Sequence, residues 1–217
     1  IHREAPETCR RFAPSSFPVL GSKLPKAHLA IAAVLDSISA HWCGNFGLVK
    51  RKLDFPPANH YLCVMHDSRT IANQFLSIAR ERGTTLTPMQ LLKLVYIAHG
   101  WSLGLYSRAL IRDEVQAWQY GPVIPRLYNA VKDFRGQPVT GMLKAPANDT
   151  LNPSEQRLVE QVFDLYGSKS GPALSRLTHA PKTPWANTFE PNSFGIVIPD
   201  DVIEDHYQQL ARERTAA

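Results

Sequence analysis

Residues 87–106 read TPMQLLKLVYIAHGWSLGLY, and this stretch decides the fold. Thr87, Pro88 and Gln90 provide a capping hydroxyl, a proline at the first helical position and a glutamine three residues after the cap, the pattern that opens a helix. The apolar residues that follow cover most of the helical circumference: Leu91, Leu92, Leu94, Val95, Ile97, Ala98, Trp101 and Leu103. A helix that is apolar nearly all round is usually buried, so we expect this one at the centre of a helical domain.

Capping residues mark further helices on both sides of residues 87–106. Asp67 or Ser68 is expected to cap a helix that Gly83 ends, because glycine readily takes the positive φ that closes a helix. Residues 152–155, Asn-Pro-Ser-Glu, repeat the cap-and-proline pattern and begin a helix that stops at Gly167. These signals predict helices packed around the central one.

The remaining segments predict shorter elements. Residues 110–120 alternate loosely and are expected to hold a short strand, Gly121-Pro122 is expected to turn the chain, and residues 123–134 are expected to form a helix. Ser170 starts a short helix that ends at Pro181 and Pro184, and a last helix starts at Asp200 or Asp201. We therefore predict a mainly α fold, a compact bundle of about six helices with at most a small β element.

Residues 1–64 differ in quality from the rest of the chain. They hold 8 Lys and Arg against 4 Asp and Glu, whereas residues 65–217 hold 16 against 15. The segment has no sustained helical or strand period, which predicts an irregular, disordered arm before a helical domain over residues 65–217. The chain's first methionine is Met65. Residues 1–64 are thus either a real arm or sequence upstream of a natural start at Met65, and the abrupt change in pattern favours the second interpretation.

Composition excludes several classes of protein. The chain has 217 residues, is 44% hydrophobic and 20% charged, and carries a net charge of +5, which allows an ordinary core and excludes a fibrous or wholly disordered protein. Its longest apolar run, residues 29–35, is far shorter than the roughly 18–20 residues of a membrane-spanning helix. Three cysteines are no disulfide framework, and no secretory signal is recognisable. We expect a cytoplasmic protein that does not enter the membrane.

Strong catalytic and metal-binding signatures are missing from the sequence. There is no phosphate-binding glycine loop, no nucleophile elbow, no H-E-x-x-H and no C-x-x-C. We therefore expect no enzyme, no cofactor and no metal site. An enzyme using His99 or His179 is the minor hypothesis, and it predicts that both imidazoles line a common polar cleft. Cys43 and Cys63 with nearby histidines could bind a metal, but their spacing matches no common zinc module.

Four residues around Gly-Pro breaks lie outside the helical periods. They are Trp118, Tyr120, Pro122 and Trp185. One interpretation is that these side chains seal loops onto the core. The other is a partly exposed aromatic surface for a protein partner, because Trp, Tyr and Arg anchor protein interfaces.

Three motifs in the chain resemble those of a known family. Residues 91–100 (LLKLVYIAHG), residues 117–123 (AWQYGPV) followed by Leu127-Tyr128, and residues 177–179 (LTH) followed by Pro184-Trp185 resemble, in this order, the signatures of the Panacea domain, found in SocA-like antitoxins and GepA-like phage-associated proteins. The resemblance spans about residues 68–210. The motif residues are expected to be chiefly structural: Lys93, Leu94, Tyr96, His99, Gly100, Gly121, Pro122, Val123, Tyr128 and His179.

The resemblance implies a helical antitoxin domain. Such proteins neutralise a cognate protein toxin encoded beside them, by occlusion or by delivering it to a ClpXP-type protease, and the family provides no catalytic residues to carry over. The physical character of the side chains suggests toxin contact at Trp118, Tyr120, Arg126 and Trp185.

The alternative hypothesis is a DNA-binding autoregulator of a mobile-element or phage-associated operon. It is based on the basic excess of residues 1–64 and on Lys50-Arg51-Lys52.

Overall fold

The structure is a computed structural model that describes residues 65–215. Seven α-helices, a two-stranded hairpin and one 3₁₀ turn make up this part of the chain. The helices are α1 (Ser68–Glu81), α2 (Pro88–Tyr106), α3 (Pro125–Val131), α4 (Pro153–Tyr166), α5 (Gly171–Thr178), α6 (Pro184–Thr188) and α7 (Asp200–Thr215). The strands are β1 (Gln116–Trp118) and β2 (Gly121–Val123), and the 3₁₀ turn is Lys132–Phe134. The predicted mainly α class with a small β element is confirmed. The predictions for residues 1–64, including the arm, the start at Met65 and the cysteine–histidine pairs, lie outside the described residues.

Helix α2 is the centre of the domain, as its apolar pattern predicts. The Thr87 hydroxyl and the Gln90 side chain form the expected capping box, and Ser107 closes the helix in the left-handed region with φ of 49°. Helices α1, α3, α4, α5 and α7 all pack against α2. Burial extends to the two polar members of this helix with the largest side chains, Lys93 and His99, which are 2% and 1% exposed.

Helix α7 lies along α2 at a place where α2 has two glycines. A Cβ atom on Gly100 would overlap the Tyr207 ring, and one on Gly104 would lie 2.5 Å from the Tyr207 Cβ. The Tyr207 ring meets Trp101 edge to face at a centroid distance of 5.1 Å. The close approach of the two helices therefore depends on the missing side chains at these two positions.

Three further predicted helix starts are confirmed at single-residue level. Asp67 caps α1 by accepting from the Arg69 N–H. Asn152 caps α4 in a reciprocal capping box with Glu155. Ser170 caps α5 by accepting from the Ala173 N–H.

The chain around Gly121 differs from the sequence prediction. Gly121-Pro122 does not form the turn but belongs to β2, which pairs antiparallel with β1 in the register Ala117 to Pro122 and Trp118 to Gly121. The turn is formed by the two intervening residues, Gln119 and Tyr120. A proline is tolerated in β2 because the other edge of this short strand forms no ladder that would need its N–H.

Two predicted helix boundaries were also wrong. The helix expected over residues 123–134 begins at Pro125, because Val123 belongs to β2, and its last residues tighten into the 3₁₀ turn. Pro184 does not end a helix: Thr183 caps α6 through its hydroxyl, and Pro184 takes the first helical position. This extra short helix explains why the count is seven within residues 65–215.

Both edges of the hairpin are held. On the side of β1, the Ala117 N–H donates to the Ile196 carbonyl and the Ile198 N–H donates to the Val115 carbonyl, each at 2.8 Å. On the side of β2, Lys93 reaches the backbone, as described below. The hairpin is therefore fixed between α2 and the segment that precedes α7.

No helix within residues 65–215 has both the length and the apolar character that crossing a membrane requires.

Candidate functional site

Lys93 holds the hairpin to the central helix. Its Nζ donates to the carbonyl oxygens of Tyr120 at 2.8 Å and Pro122 at 2.9 Å. Burial lowers the pKa of Lys93 to about 7, because the charged ammonium loses hydration. Gly121 sits between these two carbonyls with φ of 103°, and a Cβ there would lie 2.5 Å from Nζ. Lysine, glycine and proline of the first two motifs therefore form one structural unit.

His179 brings the third motif to the same place. Its ring packs on Trp185 at a centroid distance of 4.1 Å, and its Nδ1 lies 3.4 Å from the Ser175 Oγ. The Ser175 hydroxyl donates to the Tyr120 carbonyl at 3.1 Å. Burial and the charge of Lys93 lower the pKa of His179, so the imidazole is neutral at neutral pH. Its Nε2 is buried without a hydrogen-bond partner among residues 65–215.

His99 has partners of its own. Its Nδ1 accepts from the Ile111 N–H at 3.4 Å, and its Nε2 lies 3.1 Å from an Asp200 carboxylate oxygen. This side chain thus ties α2 to the first residue of α7 and to the segment before β1. His99 and His179 share no hydrogen-bond partner, so the structure gives no support to the common polar cleft that the enzyme hypothesis requires.

The other motif residues pack. Leu94 and Tyr96 belong to the core, and burial raises the pKa of the Tyr96 phenol. Val123 is buried as well, and Tyr128 contacts Trp118 edge to face at a centroid distance of 5.0 Å. Eight of the ten motif residues are therefore buried, and Tyr128 and His179 are partly exposed.

A groove of about 960 Å³ opens beside the hairpin, and we call it the hairpin groove. Trp118 lines it together with Tyr128 and Phe194, and its ring lies 5.0 Å from the Tyr128 ring and 5.2 Å from the Phe194 ring between centroids. Tyr120 and Phe194 are 66% and 84% exposed, the highest values among the large apolar side chains of residues 65–215. The lining residues are Pro88, Met89, Leu92, Lys93, Trp118, Gln119, Tyr120, Val123, Tyr128, Lys132, Arg135, Phe189, Pro191, Asn192, Ser193 and Phe194.

The charged groups of the hairpin groove are all cations. Lys132 and Arg135 are exposed at its rim, and neither forms an ion pair with a residue of the described range. No Asp or Glu side chain of that range lines the groove.

The structure places the four expected contact residues differently. Trp118 and Tyr120 line the hairpin groove. Trp185 lies behind it, where its indole N–H donates to the Trp118 carbonyl at 2.7 Å and its ring stacks on Phe189 at 4.7 Å. Arg126 is exposed, pairs with Asp113 at 2.6 Å and does not line the groove.

Sequence reasoning missed much of the groove. Phe189 and Phe194 lie in the segment before α7, and Lys132 and Arg135 lie at the 3₁₀ turn. These segments have no hydrophobic period, so nothing local indicated that their side chains face Trp118. Hydrogen bonds of residues 196–198 to β1 bring Phe194 there.

A second polar cluster lies at the start of α1. His66 is 2% exposed, and its ring nitrogens lie 2.5 Å from Asp149 and 3.0 Å from Glu155. Asp149 also accepts from the Asp67 N–H and from the Thr70 hydroxyl. Burial alone would raise the pKa of Asp149, but these hydrogen bonds lower it. Within residues 65–215, no group of three or more His, Cys, Asp and Glu side chains is arranged to hold a metal ion, so this cluster is best explained as a structural link.

Asp67 makes the cluster sensitive to acid. Hydrogen bonds from Arg69 lower the pKa of this carboxyl from 3.8 to about 2. Its charged form therefore stabilises the fold above about pH 4, and this contribution disappears as the pH falls through 2. We expect Asp67→Asn to lower the free energy of unfolding by about 2 kcal/mol at pH 7 and to have almost no effect near pH 2. Urea unfolding of both proteins at several pH values measures this difference.

The matched control for this prediction is Asp205→Asn, an exposed carboxylate on α7. It should change the free energy of unfolding by less than about 0.5 kcal/mol at either pH. An Asp67→Asn effect that stayed the same from pH 7 to pH 2 would contradict the assignment to the charge.

Comparisons with known proteins identify relatives. A family model described as "Antitoxin SocA-like, Panacea domain" matches residues 91–186. Antitoxin SocA of Caulobacter vibrioides (strain NA1000 / CB15N) is 30% identical over 157 residues, which are 65% of this chain and 82% of that protein. No solved structure gives a significant match. The matched family region runs from α2 to α6, so it includes Lys93, the hairpin and His179.

Proposed function

This chain belongs to the family of SocA-like antitoxins with a Panacea domain, and from that premise we propose that it is the antitoxin of a toxin–antitoxin pair and binds a cognate protein toxin. The named relative is an antitoxin, and nine of the sixteen residues that line the hairpin groove lie within the matched family region. The proposal assigns the chain a role in binding and no catalytic step.

The observation that carries this proposal is the exposure of aromatic side chains beside the family motifs. Tyr120 is 66% exposed and Phe194 is 84% exposed, although Lys93 and the 196–198 segment fix the backbone around them. Contiguous exposed apolar surface on a rigid support is typical of a protein-binding site. Tyrosine, tryptophan, phenylalanine and arginine are the residues that protein interfaces favour.

Two mechanisms of neutralisation fit a binding role, and they predict different fates of the toxin. Occlusion leaves the toxin intact in a stable complex. Delivery to a ClpXP-type protease removes it. We propose occlusion as the simpler mechanism, since it requires only a complex that hides the toxin's active surface. The half-life of the toxin with and without the antitoxin separates the two: occlusion predicts an unchanged or longer half-life, and delivery a shorter one.

Co-expression tests the proposed function. The full 217-residue chain would be expressed together with each reading frame that neighbours its gene, and growth would be scored. We expect one neighbour to arrest growth when expressed alone and to be harmless when the chain is present. The proposal fails if no neighbour is toxic, or if the toxic neighbour arrests growth equally with and without the chain.

The alternative role as a DNA-binding autoregulator depends on residues outside the described range. Lys50-Arg51-Lys52 and the basic excess lie in residues 1–64, and residues 65–217 carry 16 Lys and Arg against 15 Asp and Glu. Specific DNA binding requires many phosphate contacts from a basic surface. No feature of residues 65–215 favours this role over toxin binding.

A further inference from the structure

We propose that the hairpin groove takes an extended segment of the toxin in which a large apolar side chain stands next to one or more carboxylates. This inference rests on the proposed function and names the part of the partner that the site recognises. The apolar side chain would lie against Trp118, between Tyr128 and Phe194. The carboxylates would face Lys132 and Arg135.

The exposed aromatic side chains of the groove favour a peptide segment as the occupant. The groove measures about 960 Å³, which is at the upper end of the roughly 300–1,000 Å³ found for ligand clefts. Its lining includes Trp118 and two exposed aromatic side chains, Tyr120 and Phe194. Aromatic anchors surrounded by a polar rim are how protein interfaces concentrate their binding energy.

The cations that line the groove determine the charge that the partner segment carries. Lys132 and Arg135 are exposed and lack an ion pair within residues 65–215. Asp133, which lies between them in sequence, is not among the residues that line the groove, and no other described Asp or Glu lines it. Lys93 also lines the groove, but its Nζ is already bonded to the carbonyl oxygens of Tyr120 and Pro122. A segment with carboxylates is complementary to this rim, and a segment with cations would be repelled.

Charge argues against residues 1–64 of this chain as the occupant, and hydrogen bonds argue against the addition of a strand to the hairpin. Residues 1–64 hold 8 Lys and Arg against 4 Asp and Glu, so this segment has the same sign as the rim. Strand addition to the hairpin is also blocked, because β1 is bonded to residues 196–198 and Lys93 occupies the carbonyl of Pro122 on β2. Recognition must therefore come from side chains in the groove.

A single-stranded nucleic acid also combines negative charge with flat rings, but the groove offers too few cations for one. Within residues 65–215, Lys132 and Arg135 are the only exposed cations that line the groove and could meet phosphates. Nucleic-acid grooves follow the backbone with a continuous row of basic residues. The observations favour an acidic peptide segment.

Peptide selection tests the inference with a defined probe. A display library of random 12-residue peptides would be selected on the full 217-residue chain and, in parallel, on K132E/R135E. We expect the wild-type chain to enrich peptides that place Asp or Glu beside an aromatic or large aliphatic residue. The same peptides should bind K132E/R135E at least about tenfold more weakly.

The matched control is K144E/R157E. Both residues are exposed and neither lines the groove, so this variant changes the net charge equally. It should bind the selected peptides with the affinity of the wild-type chain. F194A gives a second, uncharged test: Phe194 is 84% exposed, so its truncation leaves the core intact, and we expect a similar loss of binding. Circular dichroism confirms that each variant is folded.

The outcomes separate this inference from the proposed function. Peptides without carboxylates, or equal binding to K132E/R135E and the wild-type chain, overturn the inference. If the wild-type chain is a dimer and K132E/R135E is a monomer, a second copy of the chain fills the groove and the inference is overturned. If a 20-nucleotide single-stranded DNA binds the wild-type chain but not K132E/R135E, the groove takes a nucleic acid and the inference is likewise overturned. If K132E/R135E still rescues growth fully, the antitoxin function stands and the inference fails. If no neighbour is toxic but acidic peptides bind, the proposed function fails and the groove remains a peptide site.

Discussion

Gly121→Ala is expected to lower the free energy of unfolding by about 2–4 kcal/mol. Gly121 has φ of 103°, which an L-residue rarely adopts. A Cβ atom added there would lie 2.5 Å from the Lys93 Nζ and 3.0 Å from the His179 Nε2. An added methyl group must push the hairpin off α2 or expel Lys93 from the carbonyls of Tyr120 and Pro122. Each response leaves buried polar groups without partners, which costs roughly 1–3 kcal/mol per group.

Urea unfolding of the wild-type chain and Gly121→Ala measures this effect. Gly136→Ala is the matched control, because an added Cβ there meets no heavy atom within 4 Å. The control should shift the free energy of unfolding by less than about 0.5 kcal/mol. Equal stability of Gly121→Ala and Gly136→Ala would show that Lys93 does not hold the hairpin as described.

Gly100→Ala is expected to have an effect of similar size, about 2–4 kcal/mol, at the contact between α2 and α7. Its Cβ would overlap the Tyr207 ring, which is 6% exposed and packed on Trp101. Close-packed interiors have no empty space that could absorb a methyl group. Helix α7 must therefore move away from α2, and the contacts of Tyr207 are lost.

A double-mutant cycle with Tyr207→Ala tests the cause. Tyr207→Ala alone should destabilise the protein by about 3–5 kcal/mol, since it removes a buried ring. Combined with Gly100→Ala, it should cost at least about 1 kcal/mol less than the two single effects together, because the ring that the methyl group strikes is gone. Additive effects would mean that Gly100 matters for another reason than the approach of Tyr207.

Local hydrogen-bond chemistry explains which parts of the fold could be predicted from the sequence. Asp67, Thr87, Asn152 and Ser170 cap helices through contacts within three residues of each cap, so the sequence alone contains the signal. The apolar residues that cover most of the circumference of α2 identified it as the central helix.

Ambiguity of proline explains two of the errors. Thr183-Pro184 has the same cap-and-proline pattern as Thr87-Pro88 and opens α6, yet the preceding short helix favoured the interpretation as a stop. Gly121-Pro122 is typical of a turn, but here the dipeptide pairs with β1 as part of β2, and Lys93 donates a hydrogen bond to the Pro122 carbonyl. Lys93 precedes Tyr120 by 27 residues and Pro122 by 29 residues, so no local pattern could reveal these contacts.

The candidate site was predictable only where its residues stand out from a helical period. Trp118 and Tyr120 do so, and both line the groove. Phe194, Lys132 and Arg135 lie in segments without a period, and they reach the groove through the pairing of Val197 with Gln116 and the turn after α3. Such long-range placement follows from the packed structure rather than from sequence spacing.

The measurement that most directly tests the central claim is co-purification of the toxic neighbour with the full chain, in parallel for wild type, K132E/R135E and K144E/R157E. We predict that the toxin elutes in one peak with the wild-type chain and with K144E/R157E, and that K132E/R135E releases it. A toxin that never co-elutes with the wild-type chain in a host that lacks the ClpXP protease, although the chain restores growth in that host, would contradict neutralisation by binding.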